Sequence, residues 1–493
     1  MKMTRHFGTI ALLSALAASA SAQVGGFLHD PATVVECDGK YYTFGTGGGG
    51  IMSEDGYHWT SGAVRPGGGA APDAMKIGDR YLVAYSATGG GLGGGHAGKI
   101  LTMWNKTLDP NSPDFKYTDA VVVAESITDE DCDAIDAGLF LDPTTGRLWC
   151  TYGTYYGFIR IVELDPKTGY RVEGNEAVDV AIDCEASTMI YKDGYYYLFG
   201  THGTCCDGSN SSYTIFCGRS KNVTGPFYDN VGRTMIQGGG KMVMASEPYY
   251  IGPGHFGRIV LEDGVEKMSF HWEADLTQGG RSVLGIRPLL WKNGWPYGGP
   301  AFKDGIYEIE TERNGYALEL ATDFIRTGGR SAGGMSFGGG GNNNAAAAAA
   351  PQILPRQTLA EVQDQLPKGD CQVRNGYYQD RPWQRWEVVA VPDAGGYLGG
   401  AYYKICIAGT ERALTTTADA EVMIAEKYTG ADEQLWQIDQ LTDGTYRIMP
   451  KAVPGHDETY ALVSLGDCTP TLMKFNFESD NCKWNFKNYE EIK

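Results

Sequence analysis

The sequence predicts an all-β chain, with a five-bladed β-propeller as its larger, N-terminal part and a separate β-domain at its C-terminal end. Three observations predict it. Five short aromatic and β-branched runs recur, irregularly spaced, over roughly the first 300 residues, each entered through a tight turn. The composition, with 69 Gly, 30 Tyr and 10 Trp in 493 residues, suits many turns and aromatic platforms of the kind that stack on sugar rings. A Trp-centred motif then recurs three times near the C-terminus.

The elements follow in order. Residues 1–22 carry a charged start, an apolar stretch through Ala20 and the small residues Ala20-Ser21-Ala22, the order of a secretory signal peptide, so the mature chain is expected to begin at Gln23. No cysteine follows directly, and no later apolar run is long enough to span a bilayer. A secreted or periplasmic protein without a membrane anchor is expected. The repeated runs begin at Lys40, Arg80, Arg147, Tyr195 and Lys267, behind turns such as Asp38-Gly39, Gly78-Asp79, Thr145-Gly146, Asp193-Gly194 and Asp263-Gly264. Second strand-like runs follow, among them ILTMWN, IRIVELD, YTIFCGRS and SVLGIRPLLW. Radially repeated four-stranded sheets leave such a pattern. A large β-sandwich rich in hairpins is the alternative that periodicity leaves open.

Near Thr327 the pattern collapses into GGRSAGGMSFGGGGNNNAAAAAAP, which has no alternating apolar positions with which to bury a core. Residues 328–356 are therefore expected to link a propeller at 23–327 to a second domain at 357–493. The motifs Gln384-Arg385-Trp386, Gln434-Leu435-Trp436 and Cys482-Lys483-Trp484 resemble the Gln-x-Trp signature of ricin-B-type β-trefoils, whose three lobes each end in one. The third copy lacks Gln, and the first lobe is poorly defined. The resemblance implies a lectin-like, carbohydrate-binding trefoil with Trp386, Trp436 and Trp484 in its core.

Charge narrows the partners. With 60 acidic against 41 basic residues and a net charge of -19, nucleic acid and anionic lipid are disfavoured, and a neutral ligand fits better. The 11 cysteines are odd in number and show no zinc-type spacing. The adjacent Cys205-Cys206 leaves a vicinal disulfide and two free thiols equally open.

Three acidic residues stand at the ends of inner-strand candidates in different units: Asp30 before the first, Asp136 before the third and Glu185 before the fourth. Strand ends near a propeller axis converge on one cavity, and opposed carboxylates are what glycoside hydrolysis requires. A turn aspartate is the plain alternative for Asp30. The segments HDPATVVECDGKYYTFGTG, AIDAGLF, CEASTMIYKDGYYYLF, GTCCDGSNSSYTIFCGRSKNVTGPFYD, GGGKMVMAS and GPGHFG together resemble the catalytic domain of glycoside hydrolase family 43, most closely its arabinan endo-1,5-α-L-arabinanase-like members, over about residues 27–326.

The resemblance implies an inverting hydrolase of α-1,5-L-arabinofuranosidic bonds in plant cell-wall arabinan. Asp30 matches the general base, Glu185 the general acid, and Asp136 the aspartate that orients the acid and tunes its pKa. It also places Arg219 near the sugar hydroxyls, with a surface ion pair as the alternative. His255 matches a histidine near the propeller axis that contacts a calcium ion, often through water, so a water-completed shell is expected, with a core histidine as the alternative; no organic cofactor is implied. One departure matters: many relatives carry Trp-Ala-Pro-Asp in the second blade, whereas this chain has Ala70-Ala71-Pro72-Asp73, which removes a stacking platform while leaving Asp73 for a sugar hydroxyl. Exo-acting α-L-arabinofuranosidase, β-xylosidase and a non-catalytic carbohydrate-binding protein are the other functions kept open.

Overall fold

Turn residues set the strand ends. Asp38-Gly39, Asp193-Gly194 and Asn293-Gly294 all adopt positive φ, between 51° and 77°. Two such residues in succession match the twist of a tight hairpin, and each pair reverses one strand onto the next: Val35–Cys37 onto Lys40–Phe44, Glu185–Lys192 onto Tyr195–His202, and Ser282–Lys292 onto Trp295–Gly298. The computed structural model describes residues 26–88, 97–127, 131–248, 250–274, 276, 280–321 and 366–489. The expected signal peptide at 1–22 and linker at 328–356 lie outside them. Among the described residues no helix is long and apolar enough to cross a membrane.

Five antiparallel sheets of four consecutive strands, at 35–64, 70–126, 138–182, 185–244 and 254–298, form the five blades of a β-propeller. The first strands of neighbouring blades pack on one another and so line the axis. Apolar side chains fill the space between blades: Phe199 of the fourth stacks on Phe256 of the fifth at 3.9 Å, and Trp149, Tyr196, Leu198 and Phe227 close the seam between the third and fourth. The ring shuts where Phe27 bridges to Val283 and the Leu28 amide donates to the Ser282 carbonyl at 3.0 Å.

The C-terminal part repeats one detail three times. Trp386, Trp436 and Trp484 are fully buried, and their indole N–H groups donate to the carbonyls of Leu318, Leu414 and Leu462 at 2.8, 3.0 and 2.8 Å. Buried tryptophans need such a partner, and the bond marks equivalent positions in three lobes. Donor and acceptor are 22 residues apart in the second and third lobes but 68 apart in the first.

This corrects the expected domain boundaries. Gly305–Thr311 pairs with Trp386–Ala390 and Trp484–Asn488, and Ala317–Leu320 pairs with Cys371–Gly376. The propeller therefore ends at 298, and the trefoil begins at 305 rather than 357. The Gly/Asn/Ala-rich run interrupts the first lobe, which explains why that lobe looked poorly defined: its opening strands precede the run.

The two bodies are docked. Leu398 of the trefoil, with no exposed surface, sits among Leu28, Val34, Ile51 and Trp59 of the first blade and Ile259, Leu284 and Ile286 of the fifth. The Leu398 and Gly399 amides donate to the carbonyls of Asp55 and Gly56, both at 3.0 Å. Lys267 of the propeller reaches the Leu398 carbonyl at 3.0 Å and pairs with Asp439 at 2.8 Å, while Arg447 joins Asp439 to Glu262.

Candidate active site

Each blade enters its first strand through one residue of left-handed backbone: Asp30 (φ 52°), Ala71 (41°), Asp136 (58°), Ala186 (51°) and His255 (62°). At Ala70–Asp73, Glu185–Thr188 and Gly254–Gly257 the strand register slips at this residue, as in a β-bulge, which bends the strand and re-aims side chains. Aspartate and histidine tolerate this conformation; alanine holds it at some cost in strain. The repeated left-handed residue stands at or beside Asp30, Asp136, Glu185 and His255, which come from four blades to one end of the axis.

Their contacts are mutual. His255 Nδ1 lies 3.5 Å from Asp30 Oδ1, and Thr46 Oγ1 donates to Asp30 Oδ2 at 2.6 Å. The Asp30 amide donates to Nδ1 of fully buried His271 at 3.0 Å, which fixes the aspartate backbone. His271 is itself stacked between His29 (4.8 Å) and Tyr213 (5.6 Å). Ser86 Oγ accepts the Asp136 amide at 3.0 Å, and Asp136 Oδ2 accepts the amide of Ala186, the residue after Glu185, at 3.0 Å. Tyr213 donates its hydroxyl to Glu185 Oε1.

These surroundings push the carboxyls apart. Burial works to raise Asp30, but the close contact with His255 and the charges of His29, His255 and His271 hold it well below the usual carboxylate range. Glu185 is pushed up to about 8, first by burial and then by the charge of Asp136, against the opposing bond from Tyr213. Asp136 is pushed up to about 6 by burial and by Asp30. These surroundings favour an ionised Asp30 and a protonated Glu185 at the same end of the axis, the division of states that an acid–base pair needs.

Comparison with known proteins settles the family. Residues 24–296 match the family model "Glycosyl hydrolases family 43". The chain belongs to glycosyl hydrolase family 43. Residues 382–456 of this family 43 glycoside hydrolase match the model "Ricin-type beta-trefoil lectin domain-like". It is 31% identical over 322 residues to an extracellular exo-α-(1→5)-L-arabinofuranosidase of Cellvibrio japonicus, covering 58% of this chain and 90% of the relative. It is 30% identical over 327 residues to an extracellular endo-α-(1→5)-L-arabinanase of Bacillus subtilis, covering 59% and 96%. Among solved structures, it resembles an exo-1,5-α-L-arabinanase from a bovine ruminal metagenomic library, with TM-score 0.52, 32% identity and coverage of 57% and 99%. It also resembles a Cellvibrio cellulosa α-L-arabinanase complexed with arabinohexaose, with TM-score 0.52, 27% identity and coverage of 56% and 96%.

Two of the expected substrate contacts are corrected. Asp73 is 5% exposed, and both its oxygens are taken: Oδ1 by the amides of Thr33 (3.1 Å) and Ala74 (2.8 Å), Oδ2 by that of Leu139 (2.8 Å). It ties the first three blades together rather than facing a sugar. Arg219 pairs with Tyr197 and through it with Ile190, five residues along from Glu185. At about 3.3 Å per residue this is roughly 16 Å away, at the opposite end of the blade. Its guanidinium lies between the rings of Tyr195 (4.5 Å) and Trp295 (4.4 Å) and donates to the Gly294 carbonyl at 2.9 Å. It is therefore a cation–π clamp, neither a sugar contact nor an ion pair.

The donors around His255 bear on the implied calcium ion. His255 Nδ1 is buried with no hydrogen-bond partner, and its one close carboxylate is Asp30. Among the described residues, the groupings of three possible ligands are His29–Asp30–His271 and His29–Cys205–Cys206, and neither includes His255. Calcium takes about six to eight oxygen ligands. Neither of these nitrogen- and sulfur-rich groups supplies such a shell from side chains alone, so a calcium ion beside His255 would take most of its ligands from water.

Sequence reasoning missed His29, His271 and Tyr213. His271 and Tyr213 lie in or beside strands where aromatic residues look like core. His29, adjacent to Asp30, was visible as its neighbour.

Proposed function

We propose that this hydrolase cleaves α-1,5-L-arabinofuranosidic bonds of arabinan with inversion at the anomeric carbon. Asp30 acts as general base, Glu185 as general acid, and Asp136 as the residue that positions Glu185 and raises its pKa. The observation that carries the reading is the convergence of Asp30, Asp136 and Glu185 from three blades at one end of the axis, in surroundings that favour an ionised Asp30 and a protonated Glu185. Asp30, ionised and oriented by His255, His271 and Thr46, removes a proton from a water as its oxygen attacks the anomeric carbon. Glu185 gives its proton to the departing glycosidic oxygen. The bond breaks with one proton gained by Asp30 and one lost by Glu185, and exchange with solvent resets both. The arabinanases and arabinofuranosidase among the relatives support the substrate, and the extracellular ones support export of this chain. The trefoil is proposed to contact the same polysaccharide.

Exo action is the second reading. It is favoured by Ala70 where a stacking tryptophan is expected, since a shortened platform weakens hold on a chain running through the groove, and by the exo-acting relatives. NMR of the first-formed anomer on linear arabinan, with product sizing, tests both points. Inverted sugar with mixed oligomers supports endo cleavage, and inverted arabinose or one short oligomer supports exo cleavage. A retained anomer, or no hydrolysis, overturns the mechanism.

A further inference from the structure

Two cysteines beside His29 take no part in this chemistry. Cys205 and Cys206 lie in the loop between Tyr195–His202 and Thr214–Ser220, with their sulfurs 3.0 Å apart and unbonded. Cys206 Sγ is 3.7 Å from His29 Nε2, and that nitrogen and both sulfurs all lie within 4.8 Å of one another. The second ring nitrogen of His29 is bonded to Ser282 Oγ at 2.9 Å, which fixes the ring and leaves Nε2 to the sulfurs. An anchored second nitrogen is the usual support of a metal-binding histidine. The loop is also pinned: the Cys206 amide donates to Glu273 Oε1 at 2.6 Å, and Cys206 holds a left-handed φ of 60°. Cys206 is exposed and Cys205 half-buried, so the group opens to solvent.

Two thiols and an imidazole are donors for zinc-like cations rather than oxygen-seeking ones. Donors about 2.0–2.3 Å from a tetrahedral ion lie about 3.3–3.8 Å from one another, a spacing this cluster reaches with sub-ångström side-chain shifts. We propose that His29, Cys205 and Cys206 bind a thiophilic divalent cation of the zinc or cadmium class, and that its binding inhibits the hydrolase. Binding releases to solvent the protons carried by the two thiols and by the charged His29 ring, forms two metal–sulfur bonds and one bond from the freed His29 Nε2 lone pair, and transfers no electrons. His29 Nε2 is also 3.4 Å from Asp30 Oδ2. The cation therefore takes His29 Nε2 from Asp30 and stands in its place beside the carboxylate, disturbing the position of Asp30. This inhibitory half rests on Asp30 being the base; the binding half does not.

The full chain, reduced and with its thiols counted, is titrated with Co²⁺ as a spectroscopic probe and then with Zn²⁺, while arabinan hydrolysis is followed in parallel. The expected result is a thiolate-to-cobalt charge-transfer band saturating at one equivalent and abolished by Zn²⁺. Hydrolysis should fall at least tenfold at the same zinc concentration and recover with chelator. Cys205→Ser and Cys206→Ser should each lose the band, and each, compared with itself, should lose less than twofold activity on adding zinc. Absence of the band, its survival in both variants, or a Cys205–Cys206 disulfide found by peptide mapping of the untreated enzyme overturns the site. A zinc-displaceable band with unchanged hydrolysis overturns the inhibitory half and counts against Asp30 as base.

Discussion

Replacing Asp136 by Asn tests the link between Asp136 and the acid, because it removes a charge while keeping an oxygen that can accept the Ala186 amide. That amide bond, at 3.0 Å, holds the Asp136 carboxylate against the backbone of the residue after Glu185. For charges on the order of 6 Å apart at an effective dielectric near 20, the repulsion is about 3 kcal/mol, or about 2 pH units. Near pH 7.5 Asp136, pushed up to about 6, is mostly ionised, so this repulsion is present in the native enzyme. The sign is fixed: without the negative charge the ionised form of Glu185 is less disfavoured, and its pKa falls from about 8 towards about 6. Glu185 must be protonated to act, so the alkaline limb of kcat/KM moves down with it. At pH 7.5 the protonated fraction drops by about 25-fold, whereas at pH 5 it barely changes. The assay is kcat/KM on arabino-oligosaccharides from pH 4 to 9 for both proteins. A variant whose alkaline limb stays within 0.3 of the native position, or moves up, refutes the coupling; a uniform loss at every pH assigns Asp136 to positioning alone.

Glu185→Gln should lose activity by about a hundredfold or more on arabinan but much less on aryl glycosides with good leaving groups, since these need little protonation; equal losses on both would show that Glu185 is not the acid. Asp30→Asn should depress both substrates alike, because the water then lacks its base, and steady-state rates on the two classes check this. A protease site placed between Gly328 and Pro351 should be cut without releasing either half, because Leu320 pairs with Val373 across the interruption; two separate species in native mass spectrometry would contradict the strand pairing. Lys267→Met should destabilise the full chain by about 1–3 kcal/mol, because buried Asp439 loses one charged partner and keeps Arg447, read by denaturant unfolding, and a change under 0.5 kcal/mol would show that the interface tolerates its loss.

The legible parts of the sequence were the local ones. Asp30, Asp136 and Glu185 each stand in a short segment with its own turn chemistry, and the structure brings all three to one end of the axis. Arg219 was misplaced because GRS says nothing of register: the hairpin from Tyr195–His202 to Thr214–Ser220 carries it to the far end of the blade. Asp73 kept its position but not its role, since its amide partners Thr33 and Leu139 come from other blades and leave no mark nearby. The boundary at 327 failed for a related reason. A glycine and alanine run lacks core residues whether it separates two domains or interrupts one, and the deciding observation was the Leu318–Trp386 bond.

Leu398 occupies an unusual place, for it wedges between the blades at which the ring begins and ends. A propeller is a closed hoop with one joint, and thermal breathing is easiest where no covalent chain crosses between neighbours. Asp30 belongs to one side of that joint, while His255 and His271, which orient it, belong to the other. Loosening the hoop would therefore blur the catalytic distances before it unfolded anything. The trefoil, whatever it does with polysaccharide, acts as a clasp across the joint, so slackness there would appear first as lost turnover and faster amide exchange around Leu28 and Ser282, with the melting temperature following later.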